Sequence, residues 1–233
     1  MKSIGLFLLL YFSLGAVGFA QNAMISERRD LRPFSAIYAR GGIDVYIKQN
    51  DSTTTLVEGT LQEMKYLMTE VVEDVLYIYY SDKGLKDGRN RKGRVYITIP
   101  TIAGIKSRGG SDVYGEGVFR LDAIELIATG GSDIRMAVAT KKLVANASGG
   151  ADIILSGETD FFKADASGGS DINAHDLKVK RAELQAGGGA DIHISFVEEL
   201  SAEVHGGADI SYRGAPDKVY VVQKGGGDVK RRN

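Results

Sequence analysis

The sequence predicts an all-β chain wound into a right-handed parallel β-solenoid. Its coils are about nineteen residues long, with wider and less regular coils at the N-terminal end. Three observations carry this. The pattern Gly-Gly-x-Asp-(Ile/Val) occurs eight times, with its aspartates at Asp44, Asp112, Asp133, Asp152, Asp171, Asp191, Asp209 and Asp228. After a first gap of 68 residues, the spacings are 21, 19, 19, 20, 18 and 19. Apolar and polar residues alternate on both sides of each glycine pair, which is the period of a half-buried strand. No helical periodicity separates the motifs, and so short a unit leaves no room for a crossover helix. Equivalent strands therefore stack coil on coil, each burying its neighbour's apolar face.

The regular coils occupy 107–230. One residue after each motif aspartate stands Val45, Val113, Ile134, Ile153, Ile172, Ile192, Ile210 or Val229, all β-branched. Seven residues before it stand Ile37, Ile105, Leu126, Ala145, Ala164, Leu184, Ala202 and Val221, which complete the expected core. The corner pairs are read as Gly41 and Gly42, Gly109 and Gly110, Gly130 and Gly131, Gly149 and Gly150, Gly168 and Gly169, Gly188 and Gly189, Gly206 and Gly207, and Gly226 and Gly227. With Gly187 and Gly225 beside them they hold 18 of the 30 glycines, so the glycine excess marks corners rather than flexible linkers. Seven coils from Asp112 to Asp228 make a rod of about 29 Å at ~4.8 Å per strand.

The segments before these coils are less regular. Lys2, an uncharged run over 4–20 and the small-x-small triplet Gly18-Phe19-Ala20 form a secretory signal peptide over 1–20, with no membrane-spanning segment left after cleavage. A linker over 21–32 follows, and the solenoid domain starts at 33. Its irregular part, 33–106, has a strand over 34–40, another over 45–48 and a third over 53–58. Residues 61–68 are expected as a short helix. Val71-Val72, Glu73-Asp74 and 75–80 form a hairpin, 81–94 a polar basic loop and 95–100 a strand. Insertions among these are expected to fill the 68-residue gap.

Lys plus Arg (29) balance Asp plus Glu (30), so no global field draws nucleic acid. Cysteine is absent, which excludes disulfides, a Cys-acylated anchor and a thiol nucleophile. There is no Gly-x-Ser-x-Gly elbow and no phosphate loop, and no helix follows the glycine pairs to make a dinucleotide fingerprint. No cofactor is expected. The basic loop carries Lys83, Lys86, Arg89, Arg91, Lys92 and Arg94 without interleaved aromatics. It is read as solvated, with anionic glycan or lipopolysaccharide as its functional alternative.

Stacking sets Asp112, Asp133, Asp152, Asp171, Asp191, Asp209 and Asp228 in a row. Neighbouring carboxylates ~4.8 Å apart repel by about 0.9 kcal/mol in water and about 3.5 at an effective dielectric of 20. The expected compensation is hydrogen bonding from the N–H groups of each aspartate's own glycine corner, worth about 1.5–3 kcal/mol each. The alternative is a ladder of Ca²⁺ ions between the carboxylates. His175, His193 and His205 stand at +4, +2 and −4 from their aspartates and are expected not to converge on a metal.

The opening Phe34…Gly41-Gly42-Ile43-Asp44-Val45-Tyr46-Ile47, the strand Val95-Tyr96-Ile97-Thr98-Ile99-Pro100 and the serial Gly-Gly-Ser/Ala-Asp-Ile blocks resemble the auto-transporter adhesin head domain, called the GIN domain. The resemblance covers roughly 33–230. It implies a β-solenoid exported by Gram-negative bacteria to the periplasm, the outer-membrane surface or the exterior. It carries no catalytic residues onto this chain. The function expected is a non-enzymatic envelope or surface module that binds a protein or a glycan. A polysaccharide-active β-helix enzyme is one alternative, and it needs clustered carboxylates that break the repeat. The other is an envelope scaffold that forms homo-oligomers through the open solenoid ends.

Overall fold

The alternation that starts at each motif aspartate becomes one long strand running to the next glycine corner. Residues 23–81 and 93–232 are described by the computed structural model. The expected signal segment 1–20 lies outside the described residues, as does 82–92 of the basic loop. The regular coils are β9 (Asp112–Thr129), β10 (Asp133–Gly149), β11 (Asp152–Gly168), β12 (Asp171–Gly188) and β13 (Asp191–Gly206). They end in β14 (Asp209–Tyr212), β15 (Lys218–Gly225) and β16 (Val229–Arg231). All pair in parallel. Asp133 stands beside Asp152, Asp152 beside Asp171, Asp171 beside Asp191 and Asp191 beside Asp209.

Each coil has two walls. In β10 the buried residues are Ile134, Met136, Val138 and Thr140, then Leu143, Ala145 and Ala147. Lys141 and Lys142 are consecutive and exposed, so the alternation skips a step there. That skip is a second corner, opposite the glycine corner. The first wall runs from the aspartate to this corner and the second returns to the next glycines. One continuous core fills the space between them, with Phe119 and Phe162 fully buried. Burying each such side chain contributes about 1.5–3 kcal/mol.

The glycine corners stack as expected. Gly188 has φ +77°, and a Cβ there would lie 3.1 Å from the Gly168 carbonyl oxygen. The residue between glycines and aspartate points inward: Ser111, Ser132, Ala151, Ser170, Ala190 and Ala208 are all fully buried. Ser132 satisfies its hydroxyl by donating to the Ser107 carbonyl (2.9 Å) and accepting from the Thr129 N–H (3.0 Å). The last corner differs from its sequence reading. Gly225 aligns with Gly206, so the corner pair is Gly225 and Gly226. Gly227 takes the inward position held by Ala208 one coil earlier, where a Cβ would lie 1.9 Å from the Ala208 carbonyl oxygen.

The N-terminal part is β1 (Met24–Arg28), β2 (Ala36–Arg40), β3 (Asp44–Gln49), β4 (Thr54–Thr60), α1 (Leu61–Met64), β5 (Leu67–Val72), β6 (Val75–Tyr80), β7 (Arg94–Ile99) and β8 (Gly104–Arg108). Three expectations change. The stretch read as a linker contains β1, which pairs antiparallel with β4. The expected helix shortens to Leu61–Met64, fixed by a Thr60–Glu63 capping box, because Leu67 already starts a strand. The insertion does not widen the first coil. It forms an extra coil outside it: β6 lies parallel to β2 and β7 parallel to β3, each on the edge away from β8 and β9. The alternation in 75–80 and 94–99 is that of the coil walls, so these strands extend both walls outward. The hairpin from β5 to β6 stands as read, with Glu73 (φ 46°) and Asp74 (φ 68°) both left-handed, the requirement of a tight two-residue turn. The first wall therefore runs β1-β4-β7-β3-β9 through to β14-β16. The second runs β5-β6-β2-β8-β9 through β13 to β15.

Candidate functional site

The corner glycines, the motif aspartates and the inward apolar positions recur from coil to coil, so the site is sought where outward side chains depart from the repeat. The recurrent aspartates come first. Asp112 Oδ1 accepts from the Asp133 N–H (3.0 Å), Asp191 Oδ1 from the Asp209 N–H (3.3 Å) and Asp209 Oδ1 from the Asp228 N–H (2.8 Å). The donor belongs to the next coil, not to the aspartate's own glycine corner as expected. The physical reason is the register: stacking brings each aspartate's amide under its neighbour's carboxylate. Burial raises the Asp112 and Asp152 carboxyls above the ordinary range, with neighbouring carboxylates adding to it. Among the described residues no group of three or more His, Asp or Glu could hold a metal ion.

The second corner carries charges of alternating sign. Coil by coil these are Asp122, Lys141, Asp160, Lys180 and Glu198. Lys141 Nζ meets Asp122 at 2.7 Å and Lys180 Nζ meets Asp160 at 2.5 Å. They line an open groove of about 780 Å³ with Arg120, Glu158 and Lys178. The lysine hydrogen bonds hold the Asp122 and Asp160 carboxyls below their ordinary value.

The sharpest departure is on the N-terminal coils. Pairing sets Tyr77 beside Tyr38 and Tyr38 beside Lys106. Two residues along, the same three strands carry Tyr79, Arg40 and Arg108. The six side chains form a lattice of two columns on three strands, on the outer face of the second wall. Tyr38 and Tyr77 meet edge to face, 5.6 Å between centroids and 71° between planes. Lys106 Nζ lies 5.3 Å from the centre of the Tyr38 ring, and the Arg40 guanidinium 4.9 Å from that of Tyr79. Glu70 on β5 accepts from the Tyr79 hydroxyl (2.7 Å) and holds that phenol above its ordinary value. On the first wall Tyr46 stacks between Tyr96 and Tyr114, at 5.1 and 5.2 Å. Sequence reading singled out none of these tyrosines as a site. The period-two repeats Tyr38-x-Arg40 and Lys106-x-Arg108, each ending directly before a glycine corner, were the available signal, while Tyr77-x-Tyr79 precedes no glycine pair.

The fold and these coils have known counterparts. The family model described as "Putative auto-transporter adhesin, head GIN domain" matches residues 33–216. The chain belongs to the GIN-domain family. No functionally curated protein matches it. Among solved structures, this GIN domain is similar to a "putative adhesin" of Bacteroides fragilis, with TM-score 0.85 and 24% identity over 91% of this chain and 99% of that one. A "putative adhesin" of Parabacteroides merdae aligns with TM-score 0.73 and 17% identity over 90% and 96%. A protein of Parabacteroides distasonis described as a "putative lipid binding protein" aligns with TM-score 0.71 and 16% identity over 90% and 97%. At these identities the likeness is one of fold.

Two of the three histidines of this GIN domain meet, and the third does not. The His175 and His193 rings stack 5.1 Å apart and 5° from parallel, because a bulge after Ala174 shifts His175 out of phase with its coil. His193 Nδ1 lies 2.6 Å from Ser211 Oγ. Burial, then the neighbouring His193, lowers the His175 imidazole below its ordinary value. His205 stays apart on the second wall, 3.1 Å from Glu203. Among the described residues, no helix is long and apolar enough to cross a membrane.

Proposed function

We propose that this GIN domain is an exported, non-enzymatic binding module of the cell envelope, and that it holds an anionic glycan on the tyrosine and cation lattice of its second wall. The lattice carries the reading. Three aromatic rings and three cations share one face within two columns. Rings stack on the C–H faces of sugars, and guanidinium and ammonium groups pair with carboxylate or sulfate. Farther along the rod, the column of Arg40 and Arg108 continues as Thr129, Ser148, Ser167, Gly187 and His205, and the next cation, Lys224, is paired to Glu203 and has no tyrosine beside it in the column. The adhesin names of the family and of its structural neighbours support a surface role, and the leader read over 1–20 supports export.

The enzyme alternative has its best candidate in the second-corner groove, where carboxylates and cations meet. A glycosidase needs one carboxyl raised toward working pH to act as the acid. Asp122 and Asp160 are shifted the other way by their lysines, which supports binding over hydrolysis.

Calorimetric titration of the purified protein with polygalacturonate, dextran sulfate and neutral dextran tests the proposal, with reducing ends assayed alongside. The expected result is saturable, salt-sensitive heat with an acidic polymer, none with dextran and no new reducing ends. Equal binding of dextran, or no heat with either acidic polymer, overturns the ligand class. Cleavage overturns the non-enzymatic reading.

A further inference from the structure

The exposed apolar side chains of this rod are gathered at its two ends. Among the described residues, nine large hydrophobic side chains are exposed. Five of them, Met24, Leu56, Leu61, Met68 and Val72, belong to the N-terminal cap, and three, Val219, Tyr220 and Val221, to β15. Only Val118 lies between. In β15 the inward positions are those of the core. Val219 aligns with Leu200 and Val221 with Ala202, which are 3% and 1% exposed, yet Val219 and Val221 are 47% and 39% exposed. The core is complete at β13 and uncovered at β15.

The free edges at the two ends match wall for wall. Among the described residues, β15 pairs with β13 alone and β16 with β14 alone, while β5 pairs with β6 alone and β1 with β4 alone. β15 and β5 end the second wall; β16 and β1 end the first. Copies stacked along the rod axis therefore bring β15 against β5 in antiparallel fashion and β16 against β1 in parallel. The charges also match. At the tail, β15 carries Lys218 and Lys224, which pair with Glu199 and Glu203 of their own chain, and residues 229–232 carry Lys230, Arg231 and Arg232, against Asp217 and Asp228. At the head, residues 67–74 carry Glu70, Glu73 and Asp74 with Arg32 bonded to the Val71 carbonyl, and β1 carries Glu27 and Arg28. Two basic ends repel each other, whereas a basic end and the acidic β5 edge attract. One side-chain bond has to yield, since Arg32 Nη2 meets the Val71 carbonyl at 2.5 Å.

We infer that a second copy of this chain docks head to tail, its acidic β5 edge completing the uncovered wall at β15, so that the protein assembles into open-ended stacks. Edge pairing supplies backbone hydrogen bonds and Val219 and Val221 gain a covering layer. A head-to-tail contact does not close on itself, so growth continues past the dimer.

Sedimentation of the protein in the form the cell makes tests this with two variants. Val221→Lys places a charge at the inward edge of the tail, and Val72→Lys/Glu73→Lys makes the head basic without touching Glu70, which holds Tyr79 of the lattice. The wild type is expected to grow with concentration past the dimer and to dissociate at about 0.5 M salt, where screening shortens to a few ångströms. Each variant alone is expected to be monomeric, with melting close to wild type. Their mixture is expected to stop at dimers, since it retains one working head and one working tail. A dimer formed by the head variant alone means tail-to-tail pairing and overturns the proposal. So does a wild type that stays monomeric, or one whose growth both variants leave unchanged. Glycan binding by either variant is read separately, so neither proposal stands or falls with the other.

Discussion

Asp112 accepts a 3.0 Å hydrogen bond from the backbone N–H of Asp133, one coil away. Each motif aspartate so bonded clips its coil to the next, yet its charge faces carboxylates on either side. Asparagine keeps the accepting oxygen and removes the charge. Asp112→Asn is expected to raise the melting temperature at pH 7 by about 1–4 °C, for relief of about 1 kcal/mol of screened repulsion.

The same pair fixes a pH dependence. Burial raises the folded-state pKa of Asp112 and of Asp152. A carboxyl raised on folding binds its proton more tightly in the folded chain, so its contribution to stability grows as pH falls through that raised value. The difference between Asp112→Asn and wild type is therefore expected to shrink between pH 7 and about pH 4, as the wild-type carboxyl becomes neutral. Thermal melts at several pH values measure this, and a difference that widens on acidification contradicts it.

The coil length was legible because the motif recurs, and the core was legible because β-branched residues follow every motif aspartate. The position of the extra coil was not. Residues 75–80 and 94–99 alternate like any wall, and nothing in that alternation says they lie outside β2 and β3 rather than after them. The lattice shared this fate. Tyr38, Tyr77 and Lys106 meet because β2 pairs with strands on both sides, 39 and 68 residues along the chain. The direction of the aspartate bonds was hidden because an own-corner donor and a next-coil donor leave the same sequence pattern.

Two glycine substitutions separate backbone strain from corner crowding. Gly188→Ala forces alanine to φ +77° with its Cβ 3.1 Å from the Gly168 carbonyl oxygen. It is expected to cost about 1–3 kcal/mol in a denaturant melt. Gly150 has open space at its Cβ position and no left-handed φ. Gly150→Ala is expected to change stability by less than about 0.5 kcal/mol.

The core prediction concerns Phe162, fully buried between the walls of β11. Phe162→Ala is expected to destabilise by about 3–5 kcal/mol. At the second corner Lys141 is 76% exposed, so Lys141→Glu is expected to cost no more than about 1 kcal/mol and to lose its effect at high salt. Denaturant midpoints of the two variants check the contrast.

The most direct test of where function resides compares two triple variants in polygalacturonate binding. Arg40→Ala/Lys106→Ala/Arg108→Ala strips the cations of the lattice. Lys141→Ala/Lys142→Ala/Lys180→Ala removes as many charges from the regular coils. Loss of binding in the first variant, with binding within about twofold of wild type in the second, is the result expected. Equal loss in both means that net charge alone governs binding and contradicts the assignment of the site to the lattice.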